Sequence, residues 1–424
     1  MSLMPQRANL PVALDRPALS SRAMGLAVLV AALGYFVDIY DLILFSIVRV
    51  TSLRSLGVSE DQILSQGVLL LNMQMGGMLV GGIIWGILGD KRGRLSVLFG
   101  SIIMYSAANI ANGFVSSVPM YAVMRFVAGV GLAGELGAGI TLVSEIMSVH
   151  TRGYGTMAVA TVGIFGAVVA SLVGDYFDWR VAYFVGGGMG IALLVLRIGV
   201  AESGMFEGVR RAAHVTRGNF LSLLTSPKTR GKYLRVVLIG VPIWYVVGIL
   251  VTFSPEFGSA MNMPVLPSAG RAVLFAYVGL AIGDFSSGTL SQVLKSRNRV
   301  VELFLAMTAV CIAVYFAVAH VSLGLFYAVC LLMGIAAGYW AVFVTIASEQ
   351  FGTNIRATAT TTAPNFVRGS VVLLTLAFQA MRPAVGIRGS AMIVGAVALG
   401  VAYLSLRGLE ESYGTDLDYL ELPS

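Results

Sequence analysis

Charge is scarce in this chain: 12% of its 424 residues are Asp, Glu, Lys or Arg, against about 25% in a soluble domain. Histidine is rarer still, with three copies. His150 and His214 fall in polar connections and His320 at a helix end, so imidazole is set aside as a carrier of protons through the middle of the chain. The two cysteines, Cys311 and Cys330, sit on consecutive apolar stretches near opposite faces, which argues against a disulfide framework. No phosphate-cradling loop, metal-ligand cluster or nucleophile triad is present, which argues against an enzyme. No cofactor is expected.

What fills the chain is apolar sequence, 57% of all residues. Stretches long enough to cross a bilayer recur at roughly 24–48, 66–89, 95–115, 119–147, 153–175, 179–200, 232–256, 270–292, 300–319, 321–347, 355–381 and 385–407. The expected fold is an all-α membrane protein of twelve transmembrane helices in two pseudo-symmetric six-helix bundles. The longest polar interruption divides the spans evenly. The expected organisation is therefore a tail at 1–23, a bundle at 24–200, a linker at 201–231, a second bundle at 232–407 and a tail at 408–424. The opening residues are too polar for a signal peptide.

The net charge of +7 does not call for nucleic acid once the cations are placed. Of the 28 lysines and arginines, twenty fall on the side of the termini, Arg197 among them, six on the other side, Arg49 among them, and Arg125 and Arg368 lie within spans. This asymmetry predicts cytoplasmic termini and accounts for the basic charge by topology alone. A bacterial inner membrane is the expected location. The expected partners are lipid and a small-molecule substrate, with no obligatory protein partner and a monomeric state.

Two loop patterns recur. "GILGDKRGRL" (86–95) between spans two and three is answered by "GTLSQVLKSRNR" (288–299) between spans eight and nine. Glu145 and Arg152 after span four are answered by Glu349 and Arg356 after span ten. Two matches at nearly one offset indicate an internal repeat, the arrangement of transporters that rock about a central site. Asp90 at the end of span two can pair with a neighbouring helix end, while Gly86 and Gly93 permit close approach and a tight turn. Asp90, the Glu145–Arg152 pair and the Glu349–Arg356 pair are candidate latches.

The element from Gly86 to Arg94 resembles the cytoplasmic loop signature of the major facilitator superfamily. "RFVAGVGLAGE" (125–135) is similar to that family's fourth-span motif of an arginine followed by closely spaced glycines. The resemblance runs over all twelve spans and implies alternating access, with Gly86, Asp90, Gly93 and Arg94 in gating roles.

Asp38 and Asp41 interrupt the apolar run "GYFVDIYDLILFSIV" (34–48). Each costs roughly 2.5–3.5 kcal/mol at the centre of a membrane helix. Asp38 lies about 21 Å into span one at 1.5 Å per residue, Asp41 is three residues on and shares its face, and Glu135 in span four falls near the same depth. Three like charges around one cavity cannot all stay ionised cheaply, so at least one is expected to hold a proton near neutral pH. The three acids are the candidate proton-coupling residues. "FVDIYDLILF" resembles the first span of phosphate:proton and aromatic acid:proton symporters, and "GLAGELGAG" their fourth span, also seen in sugar and organic ion porters. That resemblance implies proton-coupled uptake.

Arg368 in span eleven is a permanent cation that needs an anion. It is open to two readings, a structural pair with Asp284 of span eight or a substrate carboxylate or phosphate held by the guanidinium. Arg125 is expected to be structural. Trp244 and Tyr245 in span seven, Tyr339 and Trp340 in span ten, and Asn365 in span eleven lie too deep for an interfacial belt and are candidate cavity walls, as are Asn72 and Gln74. The expected function is proton-coupled symport of a small organic anion. The alternatives are a sugar or polyol porter, although span seven lacks a glutamine pair, and a non-transporting sensor or scaffold on the same fold.

Overall fold

A computed structural model of the chain describes residues 21–92, 94–135, 152–202 and 227–415, with the isolated positions 137, 139, 143, 147 and 223. Gly93 and Glu145, together with the side chains of Asp90, Arg94 and Arg152, lie outside the described residues. So do most of the segments expected as tails and linker.

The described residues are helical throughout the apolar stretches, because a backbone in lipid must satisfy its own hydrogen bonds. The first half contains α1 (Ser21–Ser55), α2 (Ile63–Arg92), α3 (Arg94–Asn112), α4 (Val118–Leu132), α5 (Arg152–Tyr176) and α6 (Trp179–Glu202). The second half contains α7 (Pro227–Tyr245), a π-helical turn at Val246–Val251, and the short α8 (Ser254–Ala260). It continues with α9 (Ala269–Val293), α10 (Arg297–Val318), α11 (Leu323–Ala337), α12 (Trp340–Glu349) and α13 (Thr353–Arg407). Described helix already includes Ser21 and Pro227, a few residues inside the expected tail and linker, because a span can continue past the hydrocarbon into the interface.

Nine of these helical stretches are long and apolar enough to cross a membrane, and Ser96–Asn112 and Val118–Leu132 are shorter apolar helices. The last of the nine, Thr358–Arg407, has 50 residues, or about 75 Å at 1.5 Å per residue, far more than a hydrocarbon core of about 30 Å. It breaks at Gly386, whose φ of 69° belongs to the left-handed region. Counted as two, it completes the twelve expected spans. Spans eight and nine are α9 and α10, span ten is α11 with α12, and spans eleven and twelve are the two limbs of α13. Below, "distal" denotes the end of the bundle away from the described chain ends.

The halves repeat one another at close glycine contacts. A Cβ at Gly77 or Gly81 of α2 would strike the carbonyls of Phe126 and Val130 in α4 at 2.2 and 2.4 Å. One at Gly279 or Gly283 of α9 would strike Leu331 and Ile335 of α11 at 2.1 and 2.3 Å. Both halves therefore seat one span against another through bare backbone, the small-residue packing that substitutes for a hydrophobic drive in lipid. Within each half α1 packs on α5 and α7 on α13, and the halves meet along α2 with α13 and α5 with α9.

Candidate functional site

The acids and arginines of the sequence are gathered into pairs rather than one cluster. Asp38 of α1 meets Arg368 of α13 across the two halves, with Nη2 3.3 Å from Oδ2 and neither side chain exposed. Arg368 therefore does not pair with Asp284. Asp284 Oδ1 instead accepts from the backbone N–H of Ala341 at 3.2 Å, in the first turn of α12, where the break at Gly338 and Tyr339 leaves amides unpaired. A carboxylate is well placed at such a helix start.

Two indoles flank the guanidinium. The Arg368 Cζ lies 5.6 Å from the Trp340 ring and 6.0 Å from the Trp244 ring, at the outer limit of cation–π attraction. Its Nε and Nη1 have no protein partner, nor does Asp38 Oδ1 or Trp340 Nε1. Tyr35 of α1 and Tyr277 of α9 stand close to the pair, and neither stood out in the sequence, where each is one more aromatic in an apolar run. The other two aromatic candidates are tied elsewhere. Tyr245 donates to the Ala391 carbonyl at 2.6 Å and Tyr339 to the Ile239 carbonyl at 2.8 Å, so both phenols brace the second half.

Glu135 does not join the two aspartates. It is buried in an ion pair with Arg197 of α6, Nη1 donating to Oε2 at 3.1 Å beside a second Nη2 to Oε1 bond. Arg197, counted as a loop cation in the sequence, is 5% exposed. The pair is housed against Gly34 of α1, where any Cβ would fall 2.0 Å from Glu135 Oε1. Arg125 is buried within the first half. It donates to Gln74 and lies 5.1 and 5.7 Å from the rings of Phe45 and Tyr183. Asp41 faces α6 at Gly186, beside Asn109 of α3 and away from Arg368.

Asn365 joins the halves, its Nδ2 donating to the Ala133 carbonyl at 2.8 Å. Thr375 of α13 donates to Asn72 of α2 at 2.7 Å. Gly86 packs against Thr362, a Cβ there standing 3.4 Å from the Thr362 methyl. The expected Glu349–Arg356 latch takes another form. Glu349 pairs with Arg297 at 3.2 Å and accepts from Ser412 at 2.9 Å, while Arg356 Nε donates to the Phe351 carbonyl at 3.1 Å. Glu411 sits alongside. Partial burial opposes its charge, but the Ser296 hydroxyl and backbone N–H groups of Arg297, Tyr413 and Asn298 outweigh that cost and hold its carboxyl below the usual range.

A second crossing between the halves lies toward the distal end. Arg49 of α1, expected in a loop, is fully buried and paired with Glu256 of α8 through contacts of 2.7 and 2.8 Å. Thr252 donates to Ser46 at 3.0 Å beside it. Losing one partner of a fully buried pair costs about 3–5 kcal/mol, and less here because Glu256 is 16% exposed. Glu256→Gln is expected to loosen this end. The measure is labelling of Cys introduced at Ser46 by an impermeant thiol reagent, which should quicken at least about tenfold, the equivalent of 1.4 kcal/mol. Unchanged labelling would remove Arg49 and Glu256 as a gate.

Two repeated helical halves, joined by charge pairs buried between them, are the construction of a secondary transporter. Residues 24–375 match the Major Facilitator Superfamily, and the chain belongs to that family. It is a transporter and not an enzyme. The chain is 25% identical to the "Niacin transporter NiaP" of Acinetobacter baylyi over 362 residues, covering 77% of this chain and 80% of that one. It is 28% identical to the "3-(3-hydroxy-phenyl)propionate transporter" of Escherichia coli, covering 73% and 78%. A solved structure of the proton:xylose symporter XylE superposes with a TM-score of 0.68 at 16% identity, covering 94% of this chain and 98% of that one. At that identity the likeness concerns the fold.

Proposed function

We propose that this chain is a proton-coupled symporter of a small organic anion, with cytoplasmic termini, and that Asp38 and Arg368 are the coupling pair. The observation that carries the reading is the placement of that pair. It is wholly buried, spans the two halves and leaves two guanidinium nitrogens without partners.

Charge balance then supplies the coupling rule. An empty site with Asp38 ionised is neutral, and so is a site holding both a proton on Asp38 and a carboxylate on Arg368. A proton alone leaves Arg368 uncompensated, and an anion alone leaves one negative charge in excess. Either penalty of about 4 kcal/mol makes the half-loaded carrier roughly a thousandfold rarer in the closed, charge-buried form. Only the empty and the fully loaded protein reorient readily, which is symport with one proton per monovalent anion.

The indoles of Trp244 and Trp340 near Arg368 favour a flat, unsaturated acid whose ring stacks while its carboxylate takes the guanidinium. The printed substrates of two relatives, niacin and 3-(3-hydroxy-phenyl)propionate, agree with that class. The test is uptake into proteoliposomes of labelled aromatic monocarboxylates against gluconate, phosphate and glucose, with an inward proton gradient imposed or collapsed. Gradient-dependent accumulation of an acid supports the reading. Accumulation of glucose in its place would favour the sugar porter, and no flux of any acid would overturn the reading.

A further inference from the structure

Asp41 takes no part in the pair between the halves, yet it stands in a group of unmet polar atoms inside the first half. Tyr105, Asn109 and Asn112 of α3 recur at helical spacing on one face, with Ser106 beside them. Tyr105 OH, Ser106 Oγ, both amide atoms of Asn109, and Asn112 Oδ1 have no protein partner at hydrogen-bond geometry. The same holds for Arg125 Nε and Nη1 and for both Asp41 oxygens, which lie near the Asn109 amide without bonding to it at that geometry. All six residues are buried. The opposing wall is α6, where Gly186 faces Asp41 and Gly190 faces Ser106 and Tyr105.

An unmet buried polar group costs about 1–3 kcal/mol, and proteins meet such groups with internal water that makes about three hydrogen bonds each. The ligand that fits is water and not a cation, because Arg125 already brings a positive charge to the group. We propose that the polar seam between α1, α3, α4 and α6 holds a file of water molecules that carries protons from the distal face to Asp41, and from there to Asp38.

Asn112 is about 4.5 Å, three residues at 1.5 Å, distal of Asn109, and it is the last residue of α3, at the distal end of that helix. Asp38 is one turn from Asp41 in the other direction. The titratable and charged groups around Asp41 are Asp38 and Tyr40 on its own helix, Tyr105 of α3, Arg125 of α4 and Tyr183 of α6. At each hop an O–H bond of one water breaks as the next forms, and the last forms on a carboxylate oxygen. The file lets a proton reach Asp38 while Arg49 and Glu256 remain paired, so protons and substrate enter by different ways. The proton role rests on the symport reading; the water does not.

Radiolytic hydroxyl labelling of the wild-type protein tests the water directly, because buried side chains label where water is lodged beside them. Tyr105 is expected to label several-fold faster than Tyr245, which is equally buried but tied to the Ala391 carbonyl. Equal labelling overturns the proposal. Transport tests the proton role. Asn109→Leu plugs the file and is expected to slow gradient-driven uptake about tenfold, or 1.4 kcal/mol of barrier, while exchange of labelled for unlabelled substrate at symmetric pH continues. If that variant fails to fold, Asn112→Leu at the mouth is read the same way. Unchanged gradient-driven uptake in both overturns the route. A wild type that labels at Tyr105 but ignores the gradient overturns proton coupling and leaves hydration standing.

Discussion

Arg368→Ala is expected to lower uptake of an acidic substrate at least about a hundredfold, the equivalent of 2.7 kcal/mol. Charge-assisted bonds to a carboxylate are worth roughly 1.5–3 kcal/mol each, and the guanidinium offers two unpartnered nitrogens in a fixed plane. Arg368→Lys keeps the charge but loses the fork, so it should recover only a small part of the loss. Removing the cation also strands Asp38, which is 0% exposed, and breaking such a pair costs about 3–5 kcal/mol. The double variant Asp38→Asn with Arg368→Ala is therefore expected to be more stable than Arg368→Ala alone, with a higher melting temperature in detergent and no better transport. Those two readings separate the structural from the substrate role. If Arg368→Ala keeps wild-type uptake while only its stability falls, the arginine is a brace and the anion binds elsewhere.

The sequence displays the acids of this site but not their partners. Asp38, Asp41 and Glu135 stand out because lipid-facing helices exclude carboxylates, and depth along a span follows from a rise of 1.5 Å per residue. Which neighbour a side chain meets depends on helix packing in three dimensions: of the three acids at similar depth, Asp38 meets α13 across the halves, while Asp41 and Glu135 both turn to α6 but at separate places, Gly186 and Arg197. Arg197 and Arg49 read as loop cations in the sequence because each lies near the end of an apolar run. In the fold each is drawn inward by a carboxylate from a distant span, Glu135 and Glu256. Asp284 is one of two partners the sequence leaves open for Arg368, beside a substrate anion, but the broken span ten offers Asp284 backbone amides instead. The break at Gly338 leaves no sign in hydropathy, since α11 and α12 read as one apolar stretch. The repeat was legible from loop motifs, and the glycine contacts of α2 with α4 and α9 with α11 are its physical counterpart.

Asp38→Asn is expected to convert the symporter into an exchanger. With the wild type, one proton entering with one monovalent anion moves no net charge, so accumulation should follow the pH difference at about tenfold per unit, 1.36 kcal/mol. It should respond little to a membrane potential that would otherwise contribute about 2.3 kcal/mol per 100 mV. In Asp38→Asn the site with anion bound is neutral and can still reorient, but the empty site carries the unpaired charge of Arg368 and cannot return. Labelled substrate should then enter only in exchange for substrate already inside. Exchange is expected near the wild-type rate, while accumulation under a proton gradient falls from about tenfold per pH unit to none. Side-by-side measurement of exchange and of gradient-driven accumulation in the same vesicles decides the matter. Continued tenfold accumulation in Asp38→Asn would move the proton to another acid, and Asp41, already one helical turn away and unpaired with any arginine, would be the residue to replace next.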